Sequence, residues 1–143
     1  MYLIIDIIAW AKLWFDGYFP HGSWYNWVKS WYAHAQKHSD KILWLQYENM
    51  LADPLQQIQN IASYLGCDAS NVSMMEEIVR GTTFDAMKDQ ANGAQHLRKG
   101  ICGDWRAHFT TEIENAFKER FQHEFADSNL QFLLGDGEIL TAR

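Results

Sequence analysis

The chain has 143 residues, one domain's worth, and its 48% apolar content with seven tryptophans excludes a disordered composition. A formal net charge of −6 excludes general nucleic-acid binding through a basic surface, while leaving room for one local anion site. Two cysteines, Cys67 and Cys102, cannot by themselves build a disulfide framework or a zinc site, so reduced thiols in a cytoplasmic protein are expected.

In chain order, residues 2–16 read as a helix with a broad apolar surface, ended by Gly17. Asp6 interrupts its apolar run and Lys12 closes it. There is no basic leader region or small-residue cleavage site, and the run is too short to span a bilayer. The expectation is a buried helix that needs a partner, without a signal peptide or a membrane. Pro20-His21-Gly22-Ser23 forms a turn, and Ser23 is placed to cap a helix over 24–37. Trp24, Trp27, Val28, Trp31 and Tyr32 form its apolar stripe at i, i+3, i+4, i+7 and i+8.

Ile42-Leu43-Trp44-Leu45-Gln46-Tyr47 is a short, nearly continuous apolar run, read as a strand buried on both faces over about 42–47. Asp53-Pro54 then starts a helix whose face is Leu55, Ile58, Ile61, Ala62 and Leu65, with Gly66 just beyond its end. Ser70 or Asn71 opens a helix that runs to Arg80 and stops at Gly81. Thr82 or Thr83 caps a further helical turn through Lys88, and residues 89–96 form a loop. Thr111-Glu112-Ile113-Glu114 fits a capping box, and Ile113, Ala116, Phe117 and Phe121 line the last helix. The tail from Asp127 has no period. The chain therefore reads as α/β, a single partial domain over 1–143, mostly helical, whose lone strand lacks the neighbours that a sheet requires.

Chemistry concentrates in Leu97 to Phe109. Arg98 offers a planar fork of donors matched to phosphate oxygens, and Lys99 adds a compact charge. Gly100 lets its N–H approach an anion closely. Trp105 and Phe109 are expected to anchor this turn, with His108 beside Trp105. Tyr47, Thr82 and Phe84 are what a purine site would use, by stacking on Phe84 and hydrogen bonding from Thr82 and Tyr47. Each of these three, taken alone, is more often a core aromatic or a helix cap than a purine contact. His34 and His38 stand at i, i+4, a spacing that can hold a metal, but no third ligand falls at a supporting spacing, so no metal is expected. Glu76 and Glu77 are solvated, and Cys102, despite a position that could lower its pKa, is incidental.

Together these stretches resemble the cytosolic sulfotransferase family. The matching residues are His21-Gly22-Ser23-Trp24, Ile42 through Met50 with Asp53-Pro54, and Thr82-Thr83-Phe84 with Met87-Lys88. The most specific are Arg98-Lys99-Gly100 with Gly103-Asp104-Trp105 and Phe109-Thr110. The resemblance runs from about Trp10 to about Phe132 and corresponds to the C-terminal half of such a P-loop-like fold. It implies sulfuryl transfer from 3′-phosphoadenosine 5′-phosphosulfate (PAPS) to an alcohol, phenol or amine acceptor. It implies that Arg98, Lys99 and Gly100 bind the 3′-phosphate and that Tyr47, Thr82 and Phe84 contact adenine.

The sequence also departs from the family. Its 5′-phosphosulfate loop, of the form Tyr-Pro-Lys-Ser-Gly-Thr, does not occur here, and Lys29-Ser30 lies in a helix with no glycine beside it. None of the six histidines has the context of the family's catalytic histidine, and the arginine-serine pair that completes its 3′-phosphate site is absent. The loop before Leu97 is short. Arg106, Thr110, Thr111 and Asn115 stand where the dimer motif would have lysine, threonine-valine and glutamate. The expectation is a chain without catalytic residues, inactive alone, supplying the 3′-phosphate and adenine side of a donor site. Its partners would be the missing N-terminal half or another chain. The alternative is a non-catalytic nucleotide-binding or protein-interaction module.

Overall fold

A computed structural model of the chain describes residues 6–88, 97–135 and 137–141. It divides into two compact units, Met1–Trp44 with Gly103–Arg143, and Leu45–Cys102.

The first unit contains α1 (Ile7–Phe15), α2 (Trp24–Lys37), a 3-10 turn (Asp104–Ala107), α7 (Thr111–Glu124) and a hairpin of β1 (Gln131–Leu133) and β2 (Ile139–Thr141). Polar side chains set the helix starts. Ser23 Oγ accepts from Asn26 N at 3.5 Å, and Asp6 does the same for Ile8 N at 3.4 Å. The cap of α7 is Thr110, whose Oγ1 accepts from Ile113 N at 3.4 Å, one residue before the capping box read from sequence. Two adjacent threonines offer the same hydroxyl, and the fold uses the first.

The core of this unit is Tyr25, Val28, Phe121, Phe125, Leu130 and Leu140, with Trp14, Trp24, Phe117 and Phe132 packed around it. Phe121 and Phe125, one turn apart on the chain, have ring centroids 4.7 Å apart. The buried face of α2 is Tyr25, Val28 and Ala35, with Tyr32 half-buried. Trp27 and Trp31 instead remain 52% and 46% exposed, which corrects the stripe read from sequence. The helix is aromatic nearly all round, so two adjacent faces satisfied the same period. Ala11 is the buried residue of α1, while Ile7, Trp10 and Leu13 keep much of their surface exposed. The apolar run at residues 1–5 lies outside the described residues. No described helix is long and apolar enough to cross a membrane.

The tail read as aperiodic folds into the hairpin, with Phe132 opposite Leu140. Gly135 and Gly137, at φ +89° and +85°, turn it, and Leu134 N donates to Glu138 O at 2.8 Å. This hairpin holds the chain that leaves the basic turn. Trp105 Nε1 donates to Leu134 O at 3.2 Å, the Arg106 guanidinium lies 4.4 Å from the Trp105 ring centroid, and Arg106 pairs with Glu138 at 2.7 Å. Trp105 thus ties the 3-10 turn to the hairpin, and Phe109 packs on Trp105 with ring centroids 5.8 Å apart. His108 is exposed, 3.5 Å from Asp104 Oδ2.

The second unit contains α3 (Tyr47–Ala52), α4 (Pro54–Tyr64), α5 (Val72–Gly81) and α6 (Phe84–Lys88). Asp53 caps α4 by accepting from Gln56 N at 3.1 Å, with Pro54 at the first helical position. Asn71 caps α5 by accepting from Met74 N at 3.2 Å. Gly66 sits at φ +74° beyond α4, where the sequence placed the stop. α4 packs against α5 and α3 against α4, with Ala62 and Met75 buried. Leu65, assigned to the apolar face, is 67% exposed at the helix end.

The strand read over 42–47 is not formed. Residues 42–46 have no ladder partner among the described residues, and Tyr47 opens α3. A strand is a pairing, not a local state, and an apolar run cannot make one by itself.

Candidate nucleotide site

Within the second unit, a cavity of about 820 Å³ opens beside α3, α5 and α6. Its lining includes Tyr47, Thr82, Phe84, Arg98, Lys99 and Gly100, the six residues singled out from sequence. They come from three places in the chain. Tyr47 is the first residue of α3 and is 53% exposed. Thr82 closes α5 and Phe84 opens α6, so a two-residue junction delivers both. Arg98, Lys99 and Gly100 arrive on the segment after residues 89–96, a loop assignment that lies outside the described residues.

The hydroxyls are largely committed. Thr82 Oγ1 donates toward Ile78 O at 2.9 Å and Val79 O at 3.3 Å, so what it offers a guest is an acceptor lone pair. The sequence reading, which had Thr82 donating, is corrected on that point. Thr83 Oγ1 accepts from Ala86 N at 3.2 Å and so is the cap of α6. Gly100 is the tightest element. Its φ is +64°, and a Cβ built there would overlap the Phe84 ring. The turn is therefore seated on the aromatic ring, and only glycine permits that seat.

Arg98 and Lys99 are exposed, which suits cations that must meet a soluble anion. The Cys102 thiol is pushed up by burial and then by the Glu48 charge, so the site does not activate it. Sequence reasoning missed the apolar part of the lining, which includes Met50, Ile58 and Met87. Their signal was available: Met50 lies one turn beyond Tyr47, and Ile58 is on the face assigned to α4.

Elsewhere, His34 and His38 are exposed with ring centroids 6.1 Å apart, and His34 Nδ1 is bonded to Ser30 O at 3.0 Å. Among the described residues no group of three or more His, Cys, Asp or Glu could hold a metal ion. No described histidine lines the cavity.

Residues 7–129 match the sulfotransferase domain. The amine sulfotransferase of Oryctolagus cuniculus is 36% identical over 134 residues, covering 82% of this chain and 44% of the relative. Sulfotransferase 1B1 of Canis lupus familiaris is 32% identical over 130 residues, covering 81% and 43%. The chain thus spans less than half the length of these curated relatives. The crystal structure of mouse sulfotransferase SULT7A1 complexed with PAP superposes with a TM-score of 0.76 at 28% identity, over 87% of this chain and 49% of that one. Retinol dehydratase, in a complex with androsterone and the inactive cofactor PAP, gives the same TM-score of 0.76 at 20% identity, over 92% and 41%. Those structures give the helices and the small hairpin their place as part of an α/β fold. On the domain match and these relatives, the chain belongs to the sulfotransferase family.

Proposed function

We propose that the cavity of the second unit binds the 3′-phosphoadenosine end of PAPS, or of its product 3′-phosphoadenosine 5′-phosphate (PAP). The observation that carries this reading is that one cavity gathers Tyr47, Thr82, Phe84, Arg98, Lys99 and Gly100. The donor set fits the guest. Arg98 and Lys99 supply cations for a 3′-phosphate dianion, and the Gly100 backbone approaches it without side-chain hindrance. Phe84 offers a face for the base, Thr82 an acceptor for an exocyclic amine, and Tyr47 a hydroxyl. Family membership and a PAP-complexed structural neighbour support the same nucleotide.

In a complete enzyme PAPS would give up its sulfuryl group to a hydroxyl or amine acceptor and leave as PAP. This chain's part in that reaction is to bind and orient the donor by the end remote from the transferred group. No histidine is among the described residues that line the cavity, and the chain alone is expected to be inactive. Calorimetric titration with PAP tests the reading. Binding is expected, and Arg98→Ala or Lys99→Ala should weaken it about tenfold or more by removing a charge-assisted contact. Unchanged affinity in both variants would remove the phosphate role.

A second reading, a protein-interaction role, draws on the exposed aromatic face of α2. Trp27 and Trp31 stand 6.3 Å apart by ring centroid, largely uncovered. The other half of a sulfotransferase fold, in this polypeptide or another, is the partner that this reading names.

A further inference from the structure

Two histidines of the first unit come together at the end of α2. His34 lies in the last turn of the helix, and His38 is the residue that caps its C-terminus. Side chains at i and i+4 share a helix face. Both rings are exposed, with centroids 6.1 Å apart and planes inclined by 34°. A zinc ion at about 2.0–2.1 Å from an imidazole nitrogen sits about 3 Å from that ring's centroid, so two rings sharing it lie about 5–6 Å apart. Small rotations of exposed side chains cover the difference.

The hydrogen bond of His34 decides which nitrogen is available. Its Nδ1 lies 3.0 Å from Ser30 O. A carbonyl oxygen only accepts, so Nδ1 carries the hydrogen and the neutral ring keeps its lone pair on Nε2. A backbone carbonyl on the other nitrogen is also what fixes the tautomer and orientation of metal-bound histidines. The place favours a cation as well, because the last carbonyls of a helix give its C-terminus a partial negative charge. Imidazole suits zinc, copper and nickel, whereas magnesium and calcium take oxygen ligands. We propose that His34 and His38 form a two-histidine surface site for a divalent ion of the zinc type, with water in the remaining positions. Such a site differs from a closed structural one, whose three or four protein ligands are not brought together among the described residues. Because the ion joins the last turn of the folded helix to its cap, it binds the native chain in preference to the unfolded one and stabilises it. The site is independent of the nucleotide reading.

The test is calorimetric titration of the full chain with zinc chloride, with magnesium chloride as the control and the thermal midpoint followed alongside. Zinc is expected to bind and raise the midpoint, and magnesium to do neither. His34→Gln and His38→Gln should each weaken zinc binding about tenfold or more, while His123→Gln leaves it within about twofold. Gln36→His combined with His38→Gln keeps the number of histidines but puts the second ring at i+2, off the shared face. That double variant should bind zinc as weakly as His38→Gln alone. Unchanged affinity in His34→Gln and His38→Gln would overturn the proposal, and so would recovery of parent affinity in the double variant. Failure of zinc to bind, or magnesium binding as tightly as zinc, would overturn it equally.

Discussion

Gly100 rests against the ring of Phe84 so closely that a Cβ at that position would overlap Cδ2, Cγ and Cε2 of the ring. The glycine also holds φ +64°, a region L-residues enter only under strain. Two residues 16 apart in sequence, read separately as a phosphate turn and a purine platform, therefore form one unit. Moving the ring moves the backbone that carries Arg98 and Lys99.

Gly100→Ala should therefore destabilise the chain by about 2–4 kcal/mol, from backbone strain and overpacking together. In a Phe84→Ala background the same substitution should cost only the backbone part, about 1–2 kcal/mol. Urea denaturation of the four proteins in this double-mutant cycle measures the coupling. Equal costs in the two backgrounds would mean that the ring does not seat the turn.

The local signals in the sequence were sound because helix caps and stops are settled within a few residues. Ser23, Asp53 and Asn71 cap where a polar side chain precedes an apolar period, and Gly66 ends its helix at positive φ. The six residues singled out from the sequence line one cavity, and the roles given them are part of the proposal. What failed was non-local. The run Ile42–Tyr47 has the composition of a strand, but its pairing depends on chain elsewhere. The hairpin at 131–141 was hidden because two three-residue strands are too short to show alternation. The face of α2 was misassigned because its period admits a stripe through Trp27 and Trp31 as readily as one through Tyr25 and Val28, and packing against α7 and the hairpin residues chooses the latter.

That choice predicts unequal costs along one helix. Trp27→Ser and Trp31→Ser should each change stability by only about 0.5 kcal/mol, as exposed substitutions do. Val28→Ala and Phe121→Ala, in the core, should cost about 1–2 and about 3–5 kcal/mol. Thermal or urea unfolding of the four variants reads this directly. A large loss at Trp27 or Trp31 would mean that this face is covered in solution, which is the outcome the protein-interaction reading requires.

Tyr25 is buried in the same core, and its hydroxyl has no hydrogen-bond partner among the described residues. Burial raises its pKa well above the usual tyrosine value, with the Glu124 charge adding to this and Arg120 opposing it. Tyr25→Phe should be neutral or should stabilise by about 1 kcal/mol, since it removes an unsatisfied polar atom and keeps the ring. The raised pKa has a sign of its own. The unfolded chain ionises Tyr25 first, so this group's contribution is full below pH about 10 and is lost as pH rises above it. The variant should therefore lose less stability than the parent between pH about 9 and about 11, measured by urea midpoints.

The acid side is governed by a different cluster. Lys118 Nζ lies 2.7 Å from both Glu114 and Glu138, and Arg106 lies 2.7 Å from Glu138 and 3.6 Å from Glu114. This network ties the 3-10 turn and α7 to the residue just before β2. Hydrogen bonds from Lys118 and Arg106 hold the Glu138 carboxyl below its ordinary range. Hydrogen bonds that the Lys118 ammonium donates to the Glu114 and Glu138 carboxylates raise its pKa. For Glu138, depressed in the fold, the stabilisation is present above the unfolded carboxylate pKa and is lost as pH falls through the folded value. For Lys118, raised in the fold, it is present below the unfolded lysine pKa and is lost as pH rises through the folded value. Both side chains are substantially solvated, so screening keeps each contribution small. Glu138→Gln should lower the urea midpoint modestly at pH 7 and flatten its decline below pH about 4.5, and 1 M salt should shrink the difference between variant and parent. An acid decline of the same slope in both proteins would show that Glu138 is not the group whose protonation loosens the hairpin.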